Sequence, residues 1–269
     1  MVSIVLPKLV SFEGPARRAF SVTERNAAAL KSAYWVVMIS GFFEPLLYLL
    51  SIGVGVGALI GDLTLPGGQV VAYAAFVAPA MLAASAMTGA LSETTFNFFG
   101  KMKYMKLYDG ILATPVQPFE IALGELAWAM IRGSSYSAAF LVVMVWMDLT
   151  TVGRALVAFP AAVLVGFTFG ALGMALSTFM RSWQDFDLMG SVQFSLFLFS
   201  GTFVPAEVYP AVLRWVVELT PLYRSVHLIR DLSIGSAGPA QLLDVAYLVA
   251  LTVLGLVLAG RRMGRLLTR

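Results

Sequence analysis

From about Tyr34 to about Ala259 the sequence repeats one pattern, an apolar run closed by a short polar stretch. A helix needs about 20 predominantly apolar residues to cross the hydrocarbon layer of a bilayer, and inside that layer only helices and closed barrels satisfy their own backbone groups. Such runs occupy about 34–60, 70–98, 121–147, 155–180, 188–204 and 242–259, the fifth near the lower length limit. They predict an all-α polytopic membrane protein with six transmembrane helices, residues 1–269 forming a single transmembrane domain. Charged residues make up only 12% of the chain, about half the share in an average soluble domain.

The polar inventory excludes several chemistries. Cysteine is absent, which removes disulfides, thiolate metal sites and a Cys nucleophile. His227 is the single histidine, and no Gly-x-Ser-x-Gly pattern occurs, so a hydrolytic triad is hard to assemble. The net charge of +3 is too small to point to nucleic acid. The first 31 residues mix Arg and Lys with Glu13 and Glu24 and lack the pattern of a cleavable signal.

Polar residues inside the apolar runs are the informative ones. Glu44-Pro45 lies in the first, Glu93 near the inner end of the second, and Glu125 with Arg132 in the third. An intramembrane carboxylate costs at least ~2.5 kcal/mol on insertion scales, so it faces protein or water. Glu125 and Arg132 stand two turns apart on one helix face, which favours separate partners over a mutual ion pair. Gly166-Phe-Thr-Phe-Gly170, extended by Gly173, forms a small-residue face for packing within the chain or between two chains. Gly133 to Ala139 is a second stretch suited to tight helix contacts.

Three segments lie beside the spans. Residues 11–31 read as an amphipathic helix along the inner membrane surface, with Ser21 and Glu24 at capping-box spacing. Pro205 opens a segment to residue 235 that holds two short helices, re-entrant or lying on the outer surface. The first is Ala211 to Leu219. The second is Leu222 to Leu232, with Leu222, Val226 and Ile229 on one face and Arg224, His227 and Arg230 on the other. Between the second and third spans comes a basic interruption, Lys101 to Glu120. A helix over 101–114 places Met102, Met105, Tyr108 and Leu112 on one side and Lys101, Lys103, Lys106 and Asp109 largely on the rest, until Pro115 and Pro118 end it. It reads either as a handle for a cytoplasmic partner or as a loop helix on the lipid surface. With both termini cytoplasmic, thirteen Lys and Arg face the cytoplasm and four face outward, as the positive-inside rule requires.

This order of elements, with several local fragments, is similar to the membrane subunit of ABC-2-type exporters, above all the permeases of nodulation lipo-oligosaccharide and daunorubicin-type exporters. The fragments are Glu44-Pro-Leu-Leu-Tyr48 with Gly53-Val-Gly55, Tyr108-Asp-Gly-Ile-Leu-Ala-Thr-Pro115 with Glu120 and Leu123-Gly-Glu125, Ser200-Gly-Thr-Phe-Val-Pro205, and Thr220-Pro-Leu-Tyr223 through Arg230 to Gly235. The resemblance implies a permease in the cytoplasmic membrane that moves an amphipathic drug, glycolipid or saccharide outward. It implies a partner ABC ATPase in two copies, carrying the ATP and Mg, and a second permease chain, identical or homologous. This chain lacks the phosphate-cradling Gly-x-x-x-x-Gly-Lys-Ser/Thr pattern, so no cofactor is assigned to it. The resemblance makes Met102, Met105, Tyr108, Asp109, Leu112, Thr114 and Pro115 the ATPase-docking element, and Phe194, Phe197 and Phe203 the substrate path. Glu44, Glu125 and Arg132 become motion-transmitting contacts or substrate contacts. The competing expectation is an ion-coupled secondary transporter using Glu44 and Glu125.

Overall fold

A computed structural model describes residues 15–30, 43, 46–64, 68–236 and 238–267. Glu44, Pro45 and residues 34–42 of the expected first span lie outside the described residues. Helix α1 is Pro15–Leu30. A wide π-helical stretch, Leu49–Val56, leads into the short α2, Gly57–Ile60. The loop expected over 61–69 carries part of a small antiparallel hairpin, β1 Asp62–Thr64 with β2 Val70–Ala72. Then follow α3 Tyr73–Leu91, α4 Leu107–Leu112, α5 Pro118–Trp146, α6 Val152–Ser177 and α7 Asp185–Leu198. The last three are α8 Ala211–Leu219, α9 Pro221–Ile234 and α10 Ala240–Leu267.

Among the described residues four helices are long and apolar enough to cross a membrane: Tyr73–Tyr104, α5, α6 and α10. The protein is thus mostly helical and polytopic. The expected fifth span is shorter than its apolar run. Helix α7 has 14 residues and ends before Gly201, whose φ of +70° turns the chain out of the helix. The expected second span runs farther instead. Helix α3 continues through π-helical turns at Ser92–Asn97 and Gly100–Tyr104 to make one rod of 32 residues. Thr94 and Thr95 donate to the carbonyls of Ala90 and Leu91, at 2.8 and 2.5 Å, at the place where the helix widens.

Helix α6 is the centre of the packing, with α3, α5, α9 and α10 around it. Its small-residue face turns inward. A Cβ on Gly173 would lie 2.6 Å from the Thr94 hydroxyl and 2.9 Å from a Leu91 methyl. The glycine stripe therefore serves packing inside this chain. Gly133 has open space beside it, so the second small stretch makes no comparable contact there.

Helix α1 falls within the segment 11–31 where a helix was expected but begins differently. Pro15 stands at its start, and Ser21 lies mid-helix, donating back to the Arg17 carbonyl at 3.2 Å rather than capping an N-terminus. The helix lies on the first half of α5. There a Cβ on Gly124 would come within 2.7 Å of the Val22 Cβ, and the Thr23 hydroxyl donates to the Gly124 carbonyl at 3.0 Å. Gly124→Leu is expected to lift α1 from α5. Overpacking of this kind costs about 1–3 kcal/mol. The measurements are a lower melting temperature in detergent and faster protease cleavage within α1.

Candidate functional site

The polar stretch 101–120 begins as the last turn of the α3 rod, not as a separate three-turn helix. Lys106 takes a left-handed backbone with φ of 48°, so a right-handed helix cannot pass through it. The break redirects the side chains. Met105 is left 71% exposed at the tip, while Tyr108 turns inward and is fully buried, its ring 5.3 Å from that of Phe98. Burial and the neighbouring Glu125 carboxylate push the Tyr108 phenol well above its ordinary pKa. Met102 and Leu112 are half-buried, and Asp109, Thr114 and Pro115 are exposed. Of the seven expected docking residues, Met105, Asp109, Thr114 and Pro115 therefore form the outward surface.

Behind this tip stands a polar base. Pro118 opens α5, and Gln117 with Glu120 forms its capping box, the Gln117 amide donating to the Glu120 carboxylate at 2.8 Å. The same carboxylate accepts from Arg18 of α1 at 2.9 and 3.0 Å. One turn on, Glu125 accepts from Lys101 at 2.7 Å and from Arg25 at 3.2 Å, and both cations also reach Asn26. Glu125 thus ties α1, α5 and the end of the α3 rod together.

An aromatic cluster that the sequence reading missed fastens the tip to α7. Trp183, in the turn before α7, stacks on Tyr104 at 5.3 Å and packs against Phe96 and Phe99 at 4.6 and 5.4 Å. Lys103 adds a hydrogen bond to the Arg181 carbonyl. The signal in the sequence was the aromatic spacing Phe96, Phe99, Tyr104 and, far off, Trp183 and Phe186. Nothing local joins those two groups.

Higher on the rod, Glu93 pairs with Arg132 and accepts from Asn97 at 2.9 Å. Arg132 and Glu125 therefore have separate partners, as their spacing suggested. Beside Arg132 opens a cavity of about 550 Å³. Phe194 and Phe197 line it, and Phe194 is 61% exposed. Phe203 lies beyond the end of α7, edge-on to Phe197 at 5.3 Å.

At the other end of the molecule the expected polar face of α9 is turned into the protein. Asp244 of α10 is fully buried and accepts from Arg224 at 3.1 Å, while His227 Nδ1 is 2.6 Å from its other oxygen. Arg230 donates to the carbonyls of Phe76 and Gly201 and lies 3.8 Å over the Phe76 ring. These residues brace α9 against α3 and α10 and do not form a solvated surface. Asp244 itself was missed, because one acid near the start of an apolar run gives no hint of two basic partners 17 and 20 residues earlier.

The ABC-2 type transporter family matches residues 18–233. The chain is similar to nodulation protein J of Rhizobium leguminosarum bv. trifolii, 32% identical over 228 residues, which is 84% of this chain and 85% of the relative. It is similar also to nodulation protein J of Rhizobium meliloti strain 1021, 31% identical over 217 residues, 80% of this chain and 81% of the relative. The chain belongs to the ABC-2 type transporter family. It is a multi-pass permease subunit of an exporter of that type, and subunits of this kind have no ATPase activity. Permeases of the family pair with a separate ABC ATPase, which binds the nucleotide.

The α9–α10 brace generates a pH prediction. The hydrogen bond to Asp244 raises the His227 pKa above its ordinary 6.5, with Asp231 adding to the effect; burial and Arg224 oppose it. A raised pKa means that protonated His227 stabilises the fold below its unfolded-state pKa. That contribution fades as pH rises through the folded value. Melting temperature is therefore expected to fall more between about pH 5.5 and 8 in the native chain than in His227→Gln.

Proposed function

We propose that this chain is half of a transport pathway, with residues 1–269 acting as one transmembrane domain of six spans and both termini in the cytoplasm. The spans are taken at about 34–60, 70–98, 121–147, 155–180, 188–204 and 242–259. The fifth is α7 together with the chain that follows it. The thirteen-to-four distribution of Lys and Arg supports this orientation. Helices α8 and α9, bounded by Pro205 and Gly235, are the re-entrant outer segment. A second permease, identical or homologous, completes the path, and two ATPase copies dock below.

The docking surface is the tip of the α3 rod with the turn after it. Met105, Asp109, Thr114 and Pro115 make direct contact, while Met102, Tyr108 and Leu112 hold them in place from behind. The observation that carries this reading is the continuity of the tip. It is the end of a 32-residue helix, and Trp183 joins it to α7. A push on Met105 is then delivered along α3 and into α7, the two helices that carry Phe194, Phe197 and most of the cavity wall. Glu125 and Glu120 keep α1 and α5 in register with that movement. ATP and Mg stay on the partner. The cargo is an amphipathic drug, glycolipid or saccharide-type molecule moved outward, a reading supported by the likeness to nodulation protein J and by the mixed lining of the cavity.

Two variants test this. Met105→Asp is expected to weaken ATPase binding, read by co-purification, about thirtyfold, the scale of one interface hot spot. Its melting temperature should be unchanged, because the side chain is exposed. Tyr108→Ala is the wrong probe, since removing a buried ring costs about 3–5 kcal/mol of stability. Trp183→Ala is expected to keep the ATPase bound while lowering transport per ATP hydrolysed, read from uptake of a fluorescent amphiphile into inverted vesicles. Full co-purification by Met105→Asp would remove the docking assignment.

A further inference from the structure

The cavity beside Arg132 has a polarity gradient. Along one face of the α3 rod its wall reads Ser92, Thr88, Ser85 and Met81, spaced four, three and four residues apart. That is a single helical stripe about 16 Å long, hydroxyl-bearing at one end and apolar at the other. Gln193 of α7 donates to Thr88 at 2.9 Å and so extends the polar end across to the facing helix. Phe194 and Phe197 extend the apolar part.

Among the described residues the lining contains one ionised group, and it is a cation. Arg132 faces the cavity with its counterion Glu93 outside the lining. The pair is incompletely used. Glu93 is engaged by one Nη1 of Arg132 and by Asn97, whereas the Nε of Arg132 is buried with no hydrogen-bond partner among the described residues. A guanidinium has five donors in a fixed fork, and leaving one buried and unmade costs free energy. The Arg132 side chain is nonetheless partly exposed beside the cavity, and among the described residues the wall brings it no acidic group.

We propose that Arg132 is the headgroup-recognising residue of a site for anionic amphiphiles: molecules with an apolar chain or ring and a terminal carboxylate, sulfate or phosphate. The acidic group accepts from the Arg132 fork, supported by Ser92, Thr88 and Gln193, and the apolar part lies toward Met81, Phe194 and Phe197. The same positive charge disfavours cationic amphiphiles, so the site sorts cargo by headgroup charge. The inference rests on the reading of this cavity as part of the transport path.

The test uses photo-crosslinking on the full-length permease, co-expressed with its ATPase and placed in lipid nanodiscs. Three diazirine-bearing probes share one alkyl chain and end in a sulfonate, an alcohol or a trimethylammonium group. Labelled peptides are mapped by mass spectrometry. The sulfonate is expected to label the cavity segments of α3 and α7 about tenfold more than the alcohol, the ratio expected of one charge-assisted hydrogen bond, and the ammonium less than the alcohol. Arg132→Gln should bring sulfonate labelling down to the alcohol level. Because that variant leaves Glu93 unpaired, the double variant Arg132→Gln/Glu93→Gln is tested beside it and should lose the headgroup preference in the same way. Equal labelling by the three probes in the native chain overturns the inference, as does a sulfonate preference that survives in the double variant. Labelling needs no ATP, so its failure is separable from failure of ATPase docking, which the co-purification reports.

Discussion

A carboxylate carried into a low-dielectric interior must find a cation or a donor, and that constraint organises this molecule. The described structure buries Glu93, Glu120, Glu125 and Asp244, each with relative exposure of 8% or less. Each is answered from another element: Glu93 by Arg132, Glu120 by Arg18, Glu125 by Arg25 and Lys101, and Asp244 by Arg224 and His227. Removing one partner of such a pair strands the other, at a cost of several kcal/mol when both are buried. The pairs therefore act as rivets between helices that lipid and protein would otherwise solvate equally well.

Between the rivets, association depends on close approach. Lipid tails are as apolar as leucine, so helices in a bilayer gain from packing and from cross-helix hydrogen bonds more than from leaving water. Gly173 against Thr94, and Gly124 against Val22, are places where a side chain would force two helices apart. Thr168 adds a polar stitch, its hydroxyl within 3.2 Å of the Leu248 carbonyl and 3.0 Å of the Thr252 hydroxyl. Helix α6 is central because its small face admits α3 and α5 while its other side meets α10.

The rivets and the aromatic cluster divide the molecule into parts suited to transmitting a push. Helix α1, the start of α5 and the tip of the α3 rod form one riveted base through Glu120 and Glu125. Trp183 couples that base to α7, a helix with no residue fully buried within this chain. At the far end Asp244 and Arg230 hold α9 to α10 and α3.

The sequence by itself determined the class of molecule. Apolar run lengths set the long helices, since a helix must match the bilayer, and prolines at 118, 210 and 221 set where helices begin. The ordered fragments from Tyr108 to Glu125 and from Thr220 to Gly235 carried the family. The shared face of Leu222, Val226 and Ile229 was also legible, because that signal lies within two turns. What only the tertiary structure decided was the meaning of the charges and aromatics. Arg224, His227 and Arg230 read as a polar surface until Asp244 and Phe76 came to meet them. Tyr108 read as sharing one helix side with Met105 until the left-handed turn at Lys106 turned it inward, against Phe98 and under Glu125. Trp183 gave no sign of a partner until it stacked on Tyr104. In each case the partner lies far along the chain or behind a backbone break, and helical periodicity describes which face a residue occupies, not what another helix brings to that face.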